Sequence, residues 1–490
     1  MQSTYGRYWA KWSLGVFLLI NAFGCKKLVD VNAPVTSVNS ANVYASDATA
    51  ISVLTGLYTT ISTNGNYFTG NDGISLYLGL SADEFTLYNG VATTDVKHYY
   101  YTNTLISNAN MDQGSDFWRP IYNYIYVCNA AIQGLNGSSS LTSSVKQQLL
   151  GEATFMRAFF YFYLVNLFGD VPLALTTDYK TNASLARIPQ GQVYQQIITD
   201  LKNAQEWLSS NYLDGNLQSY TSSPQRVRPT KWAAAALLAR TYLYVQDWTN
   251  AENESDSVIN NSALFNLCPL NNVFLANSNE AIWQLQPINS QENTADGWEF
   301  ILPSTGPDNT SPHPVYLSPQ LLNSFEPGDQ RRVGGNWVDS VIVNSSTFYY
   351  PFKYKSASLN APLTESQMVL RLGEQYLVRA EAEAEGAGGG LITAINDLNM
   401  IRSRAGLANL SSALNQTQVL DTILHERQVE LFTELGHRWL DLKRRGNIDG
   451  VMTKVCPQKD NSSWNSYQQL YPILFSDIKS DPNLTQNIGY

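Results

Sequence analysis

The segment Gln147–Phe168 sets Phe155, Met156, Phe159, Phe160, Phe162, Leu164 and Val165 around every side of a helix. A helix with one apolar stripe can rest on a surface, but one apolar on all sides has to be enclosed by other elements. The chain must therefore wrap around this segment. It stops at Gly169-Asp170-Val171-Pro172, a C-cap glycine with a helix-breaking proline shortly after.

Other helical periodicities supply the wrapping. Ala48–Ser62 carries Ile51, Leu54, Leu57, Tyr58 and Ile61 on one face, and Trp118–Leu135 repeats this with Ile121, Tyr122, Ile125, Tyr126 and Ile132. Val193–Leu208 is a third amphipathic helix. Lys231–Asn260 and Val369–Arg404 each read as helix–turn–helix, the second turning at Gly386–Gly390. Small alanines at their crossings, with large residues opposite, follow the packing logic of degenerate tetratricopeptide-type repeats. The expected fold class is mainly α. Between the helical blocks, residues 65–110 and 266–360 are polar and punctuated by Gly and Pro, and these read as loop-rich insertions where a ligand would bind.

The N-terminus sets the location. Arg7 and Lys11 precede the apolar run Leu14–Ile20, and Gly24-Cys25 follows shortly after. Seven apolar residues are too few to cross a bilayer, which takes about 20, so the run reads as a secretory h-region. A Cys directly after a small residue looks like a lipobox, although Phe23 and Ala22 depart from the usual pattern. The expected division is a signal peptide over 1–24, a tether over 25–38 lipidated on Cys25, and a single domain over 39–490. No later segment is long and apolar enough to span a membrane; the nearest, Trp232–Val245, carries Arg240.

Composition narrows the function. Charged residues are only 15% of the 490 and aromatics 12%, with a formal charge of −10. An acidic balance excludes a phosphate-binding face for nucleic acid. Beyond Cys25, only Cys128, Cys268 and Cys456 remain, in no metal or redox spacing, so no metal and no cofactor is expected.

His425-Glu426-Arg427-Gln428-Val429 begins like a zinc-protease helix but lacks the second histidine. Glu426, Glu430 and Glu434 fall on one helical face, which admits a glycosidase pair. The same carboxylates interleave with Arg427 and Arg438, the pattern of a structural ion network. No catalytic constellation emerges. Aromatic side chains remain: Tyr67, Tyr88, Tyr100, Trp298 and Tyr316 lie in the two insertions. Their flat apolar faces and polar edges suit the C–H face of a neutral sugar.

Ordered motifs then accumulate. They include Arg157-Ala158-Phe159-Phe160-Tyr161, Leu167-Phe168-Gly169-Asp170-Val171-Pro172, Phe325-Glu326-Pro327-Gly328-Asp329, Glu374-Gln375-Tyr376-Leu377-Val378-Arg379-Ala380-Glu381-Ala382, Ile401-Arg402-Ser403-Arg404-Ala405-Gly406-Leu407, Glu426-Arg427-Gln428-Val429-Glu430-Leu431-Phe432 and Arg438-Trp439-Leu440-Asp441-Leu442-Lys443-Arg444. With the lipobox before them and Asn483-Leu484-Thr485-Gln486-Asn487 after, they closely resemble the SusD/RagB family of outer-membrane nutrient-binding lipoproteins. The resemblance implies a helical body of four tetratricopeptide-like units with a loop-rich half. It also implies a surface-exposed outer-membrane lipoprotein that captures oligosaccharide or peptide as the lid of a SusC-like TonB-dependent barrel. The family is not catalytic. Arg157, Glu426, Arg427, Glu430 and Arg438 are implied to hold helices together, and no ligand residue transfers by motif.

Overall fold

The computed structural model describes residues 40–63, 65, 68–289, 291–309 and 312–490. Cys25, the expected signal peptide and tether, and Tyr67 lie outside the described residues. The principal helices, in chain order, are α1 Asp47–Ser62, α2 Ile74–Ser81, α3 Val96–Thr102, α4 Trp118–Gly137, α5 Ser143–Phe168, α6 Tyr179–Asn182, α7 Gln190–Trp207 and α8 Lys231–Tyr244. They continue as α9 Trp248–Ile259, α10 Ala295–Phe300, α11 Leu372–Ala384, α12 Gly390–Arg404, α13 Gln416–Glu430, α14 His437–Arg444 and α15 Phe475–Ser480. Strands are short: β1 Phe85–Leu87, β2 Ile106–Ser107, β3 Asp112–Gln113, β4 Ala281–Leu285, β5 Val315–Leu317, β6 Val338–Val343, β7 Ser346–Pro351 and β8 Gln367–Arg371. They pair two by two, all antiparallel, as β1–β5, β2–β3, β4–β8 and β6–β7.

Helix α5 is the enclosed segment: every residue from Gly151 to Val165 is buried. α4 and α7 pack on it, and the row continues through α8, α9, α11 and α12 as successive helix pairs. Gly169 ends α5 at φ +77, a left-handed conformation that favours glycine. Buried ion pairs pin the row. Arg157 on α5 donates to both oxygens of Asp200 on α7 at 2.7 Å and to Asn129 on α4 at 2.9 Å. Arg240 on α8 grips Glu374 on α11 with two bonds of 2.6 Å.

The largest charged cluster joins the helical row to the loop-rich half. Glu430, with no exposed surface, accepts from Arg371 at 2.7 Å, from Arg331 at 3.0 Å, and from Arg404. Arg331 also pairs with Glu426 at 2.6 Å and Asp329 at 2.8 Å, and Arg371 with Glu280 at 3.0 Å. Lys353, Arg371 and Arg404 all face the ring of Trp337, at 4.7, 5.7 and 5.4 Å from its centroid. Burial pushes the Glu430 carboxyl up, but Arg404, Arg371 and Arg331 outweigh it and hold the group well below the usual carboxylate range.

Three expectations need correction. The helix expected from Val369 begins only at Leu372; Gln367–Arg371 is strand β8, buried on both faces. A short apolar run enclosed on both sides has no periodicity to tell strand from helix. Residues 65–110 are not all loop, since α2 is buried along its whole length. And α13 ends at Glu430, so Glu434 is not on its face. The turn after it, with Thr433 at φ +55 and Leu435 at φ +45, returns Glu434 to Arg371 at 2.7 Å. Cys128, Cys268 and Cys456 are free thiols. Among the described residues no helix is long and apolar enough to cross a membrane.

Glu430→Gln removes the shared anion and leaves guanidinium groups buried without it. Unfolding by urea is expected to show a loss of about 3–5 kcal/mol, the cost of breaking a buried ion pair from one side.

Candidate functional site

β1 and β5 form a small platform on which the loop aromatics gather. Phe85 and Leu87 point inward opposite Leu317 and Val315, and all four are buried. Alternation then turns Thr86 and its partner Tyr316 outward, and Tyr88, two residues beyond Thr86, follows the same face. The Tyr88 N–H extends the pairing by donating to the Pro314 carbonyl at 2.8 Å. Gly90 leaves room for the Tyr88 ring: a Cβ there would lie 2.7 Å from the Tyr88 ring and 3.4 Å from Asn309.

Two neighbouring elements extend the platform. Phe348 on β7 meets Tyr316 edge to face, with centroids 5.1 Å apart. On the other side, Thr294 caps α10 by accepting the Gly297 N–H at 3.0 Å, which sets Trp298 partly exposed on this short helix. The Trp298 ring lies 6.3 Å from that of His313. His313 is held at φ +84, a region a non-glycine residue adopts only where its surroundings fix it. Those surroundings are the Glu299 carbonyl, which accepts from His313 Nδ1 at 3.3 Å, and the Asp308 N–H, which donates to the His313 carbonyl at 3.1 Å.

Tyr88, Trp298 and Tyr316 are thus joined through the single segment 313–316. Tyr100 is not. It has no exposed surface, stacks on Tyr77 at 4.2 Å and donates its hydroxyl to Asp116 at 2.9 Å, so it is a core residue. Sequence reasoning passed over His313 and Phe348. Phe348 stands beside Tyr349-Tyr350 in an alternating strand, a signal that could have found it. His313 carried none, because its place depends on a turn.

Two titratable groups at this face, His313 and Glu299, have their charged forms disfavoured by burial. Burial lowers the His313 pKa and leaves a neutral imidazole. Beneath Trp298, Glu299 is fully buried, and neither carboxyl oxygen has a partner among the described residues. Burial, with Asp296, Asp72 and Asp308 adding to it against Lys97, pushes this carboxyl up to about 8, so it is uncharged at neutral pH. Such a surface offers ring faces and hydroxyls, with Asp308 as the carboxylate beside His313.

The carboxylates considered for glycosidase chemistry are elsewhere. Glu426 and Glu430 have no exposed surface and are occupied by Arg331, Arg371, Arg402 and Arg404, so no sugar can reach them. The surface-glycosidase alternative on Glu426, Glu430 and Glu434 loses its site. A further group of possible metal ligands, Glu326, His425 and Glu426, is likewise held by Arg402 and by the Ser324 carbonyl.

With this geometry in view, comparison with known proteins gives a consistent answer. The family model described as starch-binding associating with outer membrane matches residues 79–243, and that of the SusD family matches residues 338–490. SusD-like protein P2 of Formosa agariphila is 27% identical over 522 residues, covering 96% of this chain and 98% of its own. The starch-binding protein SusD of Bacteroides thetaiotaomicron is 32% identical over 127 residues, 25% of this chain and 21% of its own. The solved structure of surface glycan-binding protein A from Bacteroides uniformis superposes with a TM-score of 0.74 at 21% identity, covering 90% of this chain and 99% of that one. The chain belongs to the SusD/RagB family. One of the two matching family models is described as starch-binding and associating with outer membrane, and the helical fold expected from sequence is that of the solved structures.

The platform is pinned from below by acids on the residues before β1. Asp83 takes two bonds of 2.8 Å from Arg438, and Glu84 accepts the Thr433 N–H at 2.9 Å. Burial pushes the Glu84 carboxyl up to about 8 despite that bond. In the unfolded chain the group titrates near ~4.3. The folded state therefore binds the extra proton between these values, and the contribution to stability is lost as pH rises toward 8. Glu84→Gln keeps the acceptor and removes the titration. Its melting temperature is expected to gain on the parent protein between pH 5 and 8; a constant difference across that range would refute the assignment.

Proposed function

We propose that this chain is a cell-surface oligosaccharide-binding lipoprotein that serves as capture subunit and lid of a SusC-like TonB-dependent outer-membrane barrel. The observation that carries the reading is that Tyr88, Tyr316 and, through His313, Trp298 are all tied to the one segment 313–316. A pyranose buries a face of C–H groups on such rings while its hydroxyls pair with polar edges, and no counter-charge is required. Membership of a starch- and glycan-binding family supports the same ligand class. In this reading residues 1–24 are a signal peptide, Cys25 carries the lipid, 25–38 form the tether, and 39–490 act as one binding domain. Tyr67, in the same insertion as Tyr88, belongs to the candidate contacts. In this reading the protein binds without turnover; Glu426 and Glu430, the carboxylates considered for glycosidase chemistry, are paired with arginines inside the fold.

Two measurements test this. In calorimetric titration against a panel of neutral oligosaccharides, Trp298→Ala is expected to weaken binding at least about tenfold, about 1.4 kcal/mol, with its melting temperature unchanged. Unchanged affinity would remove Trp298 from the site. Mild-detergent purification of the tagged protein from its native membrane is expected to bring down a TonB-dependent barrel in stoichiometric amount. Repeated recovery of the lipoprotein alone would remove the lid role and leave a surface binding protein.

A further inference from the structure

A concave site lies on the helical half, among α4, α6 and α15, and shares no residue with the β1–β5 platform. It is a groove of about 520 Å³, within the roughly 300–1,000 Å³ of small-ligand clefts. Its floor is rigid: the Trp118 and Tyr122 rings meet edge to face at 4.9 Å, and the Tyr122 hydroxyl donates to the Pro172 carbonyl at 2.8 Å. Its walls are Tyr126 on α4 and Tyr179 on α6, which are 52% and 73% exposed. Two large rings left exposed along one groove are costly unless something covers them.

The polar groups at the rim decide what that is. Asp477 is fixed by Trp118 Nε1 at 3.1 Å and by Arg119 Nη2 at 2.7 Å, and Arg119 also donates to Ser476 Oγ at 2.8 Å. Asp481 lines the same groove, with one oxygen accepting the Asn483 N–H at 2.9 Å. The amide of Asn123 and the phenol hydroxyls of Tyr126 and Tyr179 make no hydrogen bond within the described residues. An apolar protein side chain seated here would strip water from these groups and give them no partner. Among the lining residues an anionic ligand would meet two carboxylates against Arg119, which is already paired; Lys180 stands outside the lining, 6.0 Å over the Tyr179 ring. A neutral polyhydroxylated ring meets both demands, with C–H faces for the tyrosines and hydroxyl donors for Asp477 and Asp481.

We infer that this groove is a second binding site for neutral saccharide, independent of the Trp298 face. The inference rests on the saccharide-binding reading above and adds a separate point of contact for a long chain or a second molecule. Two sites on one protein raise the effective concentration of cargo at each once either is engaged.

The test uses the mature chain with 3-fluorotyrosine in place of tyrosine, followed by fluorine NMR, with Tyr126→Phe and Tyr179→Phe identifying the two resonances. The probes are maltohexaose, laminarihexaose, cellohexaose and xylohexaose, each taken to millimolar concentration, and Trp298 fluorescence difference against Trp298→Ala reports the loop face in parallel. The expected result is that one of these sugars moves both tyrosine resonances equally in the parent and in Trp298→Ala. Tyr126→Ala, at an exposed position, should weaken that response about tenfold at unchanged melting temperature. If the Trp298 signal responds and the two tyrosines do not, the groove is not a saccharide site while the main reading stands. If the tyrosines respond only when Trp298 is intact, the groove is not independent and the inference fails. If neither signal moves with any probe, the saccharide reading of both sites falls.

Discussion

Glu430 has no exposed surface and accepts from Arg331, Arg371 and Arg404, which arrive from three separate stretches of chain. Arg331 follows the Phe325–Asp329 motif, Arg371 closes strand β8, and Arg404 ends α12. A carboxylate taken out of water is tolerable only if such partners are in place together. The loop-rich half and the helical row are therefore tied at one point where neither can shift without exposing charge. Trp337, itself buried, faces Lys353, Arg371 and Arg404 with its ring.

This use of charge explains the character of the surface. The chain has few charged residues to begin with, and many of its arginines and carboxylates are spent inside: Arg157 with Asp200, Arg240 with Glu374, Arg427 with Asp441, Arg438 with Asp83. What remains outside is disproportionately neutral, and aromatic rings stand among amides and hydroxyls. Both regions inherit that quality. The β1–β5 platform holds a neutral histidine over a protonated Glu299, and the α4 groove locks its arginine onto Asp477. A surface of this kind offers ring faces and hydroxyls more than charge.

Much of the fold was legible because enclosure and periodicity are written locally. The all-round apolar segment before Gly169 required a helical wrapping, and α1, α4, α7, α8 and α9 all form within a few residues of where their apolar spacing placed them. The errors have one physical cause. Gln367–Arg371 and Ile74–Ser81 are short and buried on all sides, so their patterns carry no direction, and neighbours distant in sequence chose strand for one and helix for the other. Glu434 was placed on the α13 face by helical spacing, yet it reaches the same arginines through a left-handed turn.

The sequence by itself determined the class of protein: the enclosed helix, the ordered motifs and the charge-poor, aromatic-rich composition are properties of the chain before it folds. It also marked Tyr88, Trp298 and Tyr316, because ring type and loop placement are local. Only the tertiary structure decided which rings are buried and which stand at the surface. Tyr100 and Tyr88 are the same side chain in the same insertion, but one stacks on Tyr77 in the core and the other turns outward beside Tyr316. Pairing of β1 with β5, more than two hundred residues apart in sequence, set that difference, and His313 and the exposed pair Tyr126 and Tyr179 acquired their places in the same way. Burial is a property of what arrives from elsewhere in the chain, and no residue carries it alone.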